Sequence, residues 1–358
     1  MAGITRMFDR PPMALKGGME ASAENQRPEH ETHLTRRPDR VAKYLMHRMD
    51  ELTFDEFKPE FLKKNGMTET FSGVPIPLRE EDREAFKSDK GVPSTILAEN
   101  MARVIGIDPK FKYCDVYSEF IDRNFGKKGV DNMTRKAKDF ADQEKFEDAC
   151  IYFRAGLVLK YNDLAAMYGY ARLLRKLYED GDTEEYVGTL KAEALDYFEM
   201  TTENYQRFDM GFYYLGYMYL NLGLYLKAYL AWDKFLGLSR IFKDRQEIKK
   251  RLKQLEDPVN IERGYNAVLS GRWSKGIKTL EPYKDSKFND WWPLWYYLGV
   301  AYARKDRLDE AEDAFKRALK GAPRHIESME ELAEIYKEKG DKRNQKKYND
   351  KITLVSKD

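Results

Sequence analysis

The sequence has few of the residues that usually build catalytic or metal centres. Only four histidines and two cysteines occur among its 358 residues. Cys114 and Cys150 lie far apart without metal-ligand spacing, so we expect two reduced thiols and no disulfide framework. His30 and His33 lie three residues apart in a polar segment, where we expect solvation and not metal binding. The sequence therefore predicts no metal and no cofactor.

Long apolar runs are also missing. None approaches the roughly 18 to 20 residues that span a bilayer, and the first 30 residues lack the apolar core of a secretory signal. Charged residues make up 35% of the chain, the net charge is +2 and the mean hydropathy is −0.74. We therefore expect a cytoplasmic protein without membrane insertion.

The near-neutral net charge argues against nucleic-acid binding, which needs a wide positive surface. The densest basic run lies at 249–253, and Asp244, Glu247 and Glu256 are interleaved with it on the same predicted helix. We interpret this run as a solvated helix face.

Sequence motifs for catalysis are absent as well. The chain has no phosphate loop, no dinucleotide glycine pattern, no nucleophile elbow and no His-Glu-x-x-His run. We therefore expect that the protein is not an enzyme. An enzyme with an unrecognised site in residues 37–128 is the least supported alternative.

What the sequence does contain is a 34-residue signature at 292–325. Its large residues recur at i, i+3 and i+7 on one predicted helix, which places them on a single stripe. Small residues on the next helix allow close helix packing, and a proline ends that helix. The eight positions are Trp295, Leu298, Gly299, Tyr302, Ala311, Phe315, Ala318 and Pro323.

This signature resembles the tetratricopeptide repeat family, in which helical hairpins stack because none can bury its apolar face alone. The resemblance implies an all-α, right-handed superhelical solenoid that binds other chains. The register extends over 129–358, with units near 130–163, 164–208, 209–242, 257–291 and 292–325 and a capping unit at 326–358. The whole sequence also resembles bacterial proteins of this family whose activity is uncharacterised.

Two features interrupt the regular register. The unit at 164–208 is 11 residues longer than a 34-residue repeat, and we expect the insertion to form a long hairpin arm. An apolar stripe through Ile248 and Leu255 predicts an extra amphipathic helix over 244–256. Asp257 and Pro258 then predict an N-cap and the first residue of the next helix.

The N-terminal third contains no repeat. Residues 1–36 are rich in proline, glycine and polar residues, and we expect them to be disordered. Residues 37–128 carry helical signals at Val41–Leu52, at Pro93–Ile105 and after Asp108. Aromatic residues of the last helix, including Phe111 and Phe120, are expected to cover the first repeat as an N-terminal helical cap.

The family resemblance also implies where a ligand would bind. Its concave surface is formed by positions 2, 5, 9, 12 and 13 of the first helix of each repeat. These positions predict an aromatic groove with basic flanks, formed by Tyr168, Arg172, Arg175, Lys176, Tyr213, Tyr217, Asn221, Ile261, Tyr265, Tyr296 and Arg304. Glu327, Glu330 and Glu334 would make its C-terminal end acidic.

Tyrosine offers contact area and arginine binds carboxylates, so this groove suits a peptide with acidic and apolar residues. The same tyrosines are equally consistent with packing against the next repeat. The two-carboxylate clamp with which the family binds chaperone tails is absent, because its sites are occupied by Tyr213, Tyr217, Tyr296 and Val300.

The function that follows is a non-catalytic scaffold for an unidentified protein or peptide partner. One alternative is a regulator whose superhelix closes on a signalling peptide. Another is self-occupancy, in which the segment 71–78 fills the groove until a partner displaces it.

Overall fold

The computed structural model describes residues 38–88 and 91–356. The predicted disordered tail at 1–36, with His30 and His33, lies outside this range. The described residues form two compact units, 38–211 and 212–356.

The first unit begins with short elements. Two 3-10 helices lead into a two-stranded antiparallel sheet, in which Thr53 lies opposite Leu78 and Asp55 opposite Ile76. The elements are 3-10 helices Ala42–Tyr44 and Met46–Glu51, strand β1 Thr53–Asp55, helices α1 Pro59–Lys64 and α2 Thr68–Phe71, strand β2 Ile76–Leu78, the 3-10 turn Glu80–Asp82 and helix α3 Arg83–Lys87. The helical signals in the sequence at 37–128 do not predict this sheet.

Long helices make up the rest of the first unit. They are α4 Ser94–Ile107, α5 Cys114–Phe125, the hairpin of α6 Lys127–Asp142 with α7 Phe146–Leu159, and the hairpin of α8 Leu164–Glu179 with α9 Glu184–Asn204. The boundary between the two units falls inside the next helix, α10 Asp209–Asn221.

The second unit consists of α10 and further hairpin helices. These are α11 Tyr225–Leu238, α12 Phe242–Leu269, α13 Trp273–Leu280, α14 Trp292–Ala303, α15 Leu308–Gly321, α16 Ile326–Glu338 and α17 Lys342–Val355, with a 3-10 turn at Glu281–Tyr283. The predicted all-α hairpin fold is confirmed.

Close helix packing occurs where the repeat signature predicts it. A Cβ atom added to Gly299 would lie 2.8 Å from Cε1 of Phe315, which leaves no room for a side chain. Ala311, Phe315 and Ala318 have no exposed surface. In the repeat at 209–242, Gly216 lies against the indole of Trp232 in the same way.

The two predicted interruptions take a different form. Only residues 180–183 separate α8 from α9, and α9 is 21 residues long, so the insertion lengthens the helix and the predicted hairpin arm is wrong. Helix α12 runs for 28 residues with Pro258 inside it, so the predicted helix start at Asp257 is also wrong. One buried stripe runs along the helix on both sides of the proline, through Ile248, Leu255 and Val259. The packing of this stripe keeps the helix continuous although the proline removes a hydrogen bond.

The N-terminal elements pack on the first repeat through α4. Gly106 lies so close to the backbone of Ile151 on α7 that any side chain would collide with it. The aromatic residues expected to cover the repeat instead contact the opening elements: Phe120 lies 5.6 Å from Phe71, and Phe111 lies 5.9 Å from Phe54, between ring centroids.

A buried arginine joins these parts of the first unit. Arg154, on α7, is fully buried and donates through Nε to the carbonyl oxygen of Gly106 at 2.6 Å. Its two terminal nitrogens donate to the two carboxylate oxygens of Asp39. Asp39 also accepts the backbone N–H groups of Val41 and Ala42, so one ion pair holds the start of the described chain, α4 and α7 together.

We predict that Asp39→Ala destabilises the protein by about 3 to 5 kcal/mol, because Arg154 would remain buried without its counter-charge. The matched control is Lys43→Ala, which removes an exposed ion pair with Glu185 and should leave stability nearly unchanged. Urea unfolding followed by circular dichroism measures both. A cost for Asp39→Ala no larger than the control's would contradict the role of the pair.

We predict that Gly299→Ala destabilises the second unit by about 1 to 3 kcal/mol through the collision with Phe315. Gly237 is the control, since it lies in α11 with no atom within 4 Å of an added Cβ. Gly237→Ala should stabilise by up to about 1 kcal/mol because alanine favours helices. Thermal melts of the two variants should shift in opposite directions, and shifts of the same sign would disprove this packing.

The buried carboxyl of Glu193 gives a pH-dependent prediction. Burial raises its pKa to about 7, against the attraction of Arg154 and Arg40. A raised folded pKa means that stability is fully present below the unfolded value near 4.5 and is lost as the pH rises through 7. Glu193→Gln should therefore have little effect at pH 4 but stabilise by about 3 kcal/mol at pH 8. Equal effects on unfolding at both pH values would refute this.

Candidate peptide-binding clefts

The first helices of the first two repeats, α6 and α8, line a cleft of about 850 Å³. Charged residues make up half of its lining. The cations are Lys127, Arg135, Lys138, Lys160, Arg172 and Lys176, and the anions are Asp131, Asp142 and Asp163. Six cations against three anions give a formal charge of +3, and we call this site the basic cleft.

An apolar floor lies beneath these charges. Phe153 and Leu173 are each 5% exposed, and Gly169 allows the ring of Phe153 to approach α8 closely. The half-buried ring of Tyr168 lies 4.9 Å from Phe208, between centroids. The basic cleft therefore offers ring surface for an apolar side chain as well as charge.

Two lysines of the cleft take part in exposed local ion pairs. Lys176 lies 2.9 Å from Asp180, a hydrogen bond that raises the pKa of the lysine, and Lys160 lies 3.3 Å from Asp163. The guanidinium of Arg172 lies 5.6 Å from the centroid of Tyr168. Exposed ion pairs of this kind contribute little to stability, so a ligand carboxylate can compete for these two lysines at small cost.

Three of the predicted groove residues, Tyr168, Arg172 and Lys176, line the basic cleft. Arg175 does not line it and pairs with Glu179 at 2.8 Å. The groove predicted from the sequence includes no residue of the first repeat. The signal was present, because positions 2, 5, 9, 12 and 13 of a repeat starting at 130 are Asp131, Thr134, Lys138, Ala141 and Asp142, all of which line the cleft.

In the repeat at 209–242, the predicted groove tyrosines bind a neighbouring helix. The hydroxyl groups of Tyr213 and Tyr217 both donate to the carboxylate of Glu247 on α12, the former at 3.2 Å. Burial, with the nearby Tyr217 and Glu247, raises the pKa of Tyr213. Tyr213 and Tyr217 therefore pack against the next helices, which is the alternative to ligand binding that the sequence left open. Asn221 is exposed at the end of α10 and lines neither of the clefts described here.

The second unit has its own cleft, of about 510 Å³. Four of its ten lining residues are aromatic residues of α13 and α14, and we call it the aromatic cleft. Its lining is Val268, Leu269, Trp273, Trp292, Pro293, Tyr296, Tyr297, Val300, His325 and Glu327.

Two predicted groove residues on α12 are buried. Ile261 is 0% and Tyr265 is 2% exposed, so their prediction as ligand-contacting residues is wrong. The reason is that α12 packs against α13 and α14, where Tyr265 stacks on Tyr297 with centroids 4.7 Å apart. Val268 and Leu269, one turn further along α12, line the cleft instead.

His325 forms part of the aromatic cleft and was not predicted. Its Nδ1 accepts the backbone N–H of Ser328 at 3.1 Å, which caps α16, and its Nε2 lies 3.3 Å from Glu327. Its ring lies 4.5 Å from Trp292 and 4.7 Å from Tyr296, between centroids. Burial lowers the pKa of His325, which favours the neutral ring that this cap requires.

The field of the aromatic cleft is acidic. Burial raises the pKa of Tyr296 to about 12, and Glu331, Glu327 and Glu330 add to the shift. The predicted cation Arg304 lies outside the lining and pairs with Glu331 at 3.4 Å. Glu330 and Glu334 are exposed and do not line the cleft. This cleft thus has the opposite electrostatic character to the basic cleft.

The segment proposed for self-occupancy is part of the first unit's core. Phe71, Ile76 and Leu78 are at most 3% exposed, so the segment has no free apolar side chains with which to fill a groove.

Across 38–88 and 91–356, His, Cys, Asp and Glu side chains form no group of three suited to a metal ion. No helix within those same ranges has the length and apolar character needed to cross a membrane.

Comparison with known families gives one match. The model of the tetratricopeptide repeat family matches residues 292–325. A search of curated proteins finds no significant relative.

Solved structures give matches of low identity. MamA (residues 41 to the end) from Desulfovibrio magneticus RS-1 is 19% identical over 52% of this chain and 95% of its own, with a TM-score of 0.31. YrrB, described as a TPR protein with an unusual peptide-binding site, is 18% identical over 57% and 93%, with a TM-score of 0.28. The TPR domain of P58(IPK) is 13% identical over 74% and 75%, with a TM-score of 0.40. Similarities this low carry no argument about ligands.

Proposed function

Because the chain is a tetratricopeptide repeat protein, we propose that it is a non-catalytic protein-interaction scaffold that holds an acidic segment of a partner in the basic cleft. The observation that carries this proposal is the composition of the cleft. Six cations and three anions surround an aromatic floor between the first helices of two successive repeats. Charge and apolar surface together suit a polypeptide with carboxylate and apolar side chains.

The spacing of the cations favours an extended ligand. Arg172 and Lys176 are four residues apart on α8, which separates them by about 6 Å along the helix axis. Alternate residues of an extended peptide are separated by about 6.6 Å. A segment with acidic residues at every second position can therefore place one carboxylate near each cation, and the arginine can bind its carboxylate through two parallel hydrogen bonds.

The side chains between the acidic residues of such a ligand would point to the opposite side of the extended chain, where they can contact the cleft floor. Tyr168 provides a broad, half-buried ring there, and aromatic rings give large contact area at low entropy cost.

The aromatic cleft would serve the same scaffold function with a different ligand segment. Its rings and the carboxylate of Glu327 suit an apolar or aromatic side chain next to a basic one. Opposite chemistry in the two clefts would let one chain distinguish two segments, of the same partner or of different partners.

We predict that a fluorescent ten-residue peptide alternating glutamate and alanine, with one central phenylalanine, binds the protein at low salt. Arg172→Gln with Lys176→Gln should weaken this binding several-fold, because it removes the two positive charges that are proposed to bind carboxylates of the peptide. Fluorescence anisotropy gives the dissociation constants.

The matched control is Lys342→Gln with Lys346→Gln, a pair with the same spacing on the exposed side of α17 and outside both clefts. It should leave the affinity unchanged. A peptide with lysine in place of glutamate should not compete. Similar binding of the acidic and basic peptides, or equal loss in the two double variants, would count against the basic cleft.

A further inference from the structure

Two adjacent apolar side chains are exposed at the start of α12. Ile241 is 53% exposed and Phe242 is 74% exposed, the highest value among the large apolar residues that the structure describes. Exposed single apolar residues are common, but two adjacent ones at a helix start form a small projecting tip.

Hydrogen bonds hold the backbone beneath this tip. Arg245, one turn into α12, donates to the carbonyl oxygens of Leu236 and Ser239, the latter at 2.8 Å. The hydroxyl of Ser239, a residue only 4% exposed, accepts the N–H of Ile241 at 3.4 Å. The exposed pair is thus held on a fixed turn and not on a frayed helix end.

Cations follow the tip along one face of α12. Phe242, Gln246, Lys249 and Lys253 are spaced i, i+4, i+7 and i+11, which aligns them on a helix. We call this the basic helix face and define it as Arg240, Ile241, Phe242, Lys243, Gln246, Lys249, Lys250, Lys253 and, at its far end, Glu256, all of which are exposed. Five cations and one carboxylate give it a formal charge of +4.

Asp257 follows Glu256 on the same side of the helix and pairs with Lys287 at 3.7 Å, whereas the other acidic residues of this part of the helix lie outside that face. Asp244 and Glu247 are half-buried, and Glu247 accepts the hydroxyl groups of Tyr213 and Tyr217. Arg251 lies over the ring of Tyr217, 5.8 Å from its centroid. The folded structure therefore separates charges that alternate along the sequence.

We propose that the basic helix face docks on an anionic lipid surface. Ile241 and Phe242 would enter the boundary between headgroups and acyl chains, and the lysines would lie at the level of the lipid phosphates. Nucleic acid would also attract these cations, but it would leave the exposed apolar pair without a partner. Joint apolar and cationic exposure is what favours the lipid surface. The face lies in the second unit, so this proposal is independent of the basic cleft.

The test is flotation of the full-length protein with vesicles of phosphatidylcholine alone or with 30% phosphatidylserine. We expect binding only to the anionic vesicles, and less binding at high salt. Lys249→Gln, Lys250→Gln and Lys253→Gln together should weaken it roughly 100-fold, since each lysine near such a surface contributes about fivefold. Ile241→Ser with Phe242→Ser should weaken it more than tenfold at unchanged charge.

Leu354→Ser is the control for loss of an exposed apolar residue, since Leu354 is 69% exposed elsewhere in the same unit, and it should not change flotation. Binding of the acidic peptide should be unchanged in all these variants. The proposal is overturned if wild type does not float with anionic vesicles, or if the serine variant floats as wild type does.

Two further measurements identify other occupants of this face. Binding of a 20-base-pair duplex that is lost in the glutamine variant but kept in the serine variant, without vesicle binding, would assign the face to nucleic acid. A dimer in light scattering that only the serine variant dissociates, again without vesicle binding, would assign it to a second copy of the chain. Either result overturns the lipid proposal.

Discussion

The first unit depends on one buried charge. Arg154 lies inside α7 without access to water and is neutralised by Asp39, while its Nε donates to the carbonyl of Gly106. The cost of burying a guanidinium is offset only while these partners remain in place. Residues far apart in the sequence are therefore fixed together, and the adjacent Phe153 on α7 forms the floor of the basic cleft. The constraint that holds the fold thus also positions the candidate site.

Folding concentrates charges of one sign in particular places on the surface. The chain has a net charge of only +2, yet the basic cleft and the basic helix face are strongly positive and the aromatic cleft is acidic. Because charges are screened within about 10 Å at ordinary ionic strength, a partner responds to the nearby residues and not to the total. The net charge was thus a weak basis for judging the run at 249–253, because folding places Asp244 and Glu247 on another side of the helix.

Much of the hairpin packing could be predicted because it depends on local spacing. The positions of Gly299, Ala311 and Phe315 indicated which surfaces of two helices must meet. A glycine is needed opposite the ring of Phe315, because any larger residue would collide with it. The same register places Tyr168, Arg172 and Lys176 along the basic cleft. Applied to the weaker first repeat, the same register also predicts that Thr134 and Lys138 line this cleft. The break expected at Pro258 failed because burial on both sides of the proline outweighs one missing hydrogen bond.

The sequence by itself determined the helical period, the hairpin units and which residue types lie on the first helix of each repeat. Only the tertiary structure decided which of those side chains remain accessible. Tyr213 and Tyr217 bind Glu247, Tyr265 is buried under Tyr297, and Phe242 is exposed. The physical reason is that helical periodicity is set by neighbours within one or two turns, whereas exposure depends on which distant helix covers each side chain.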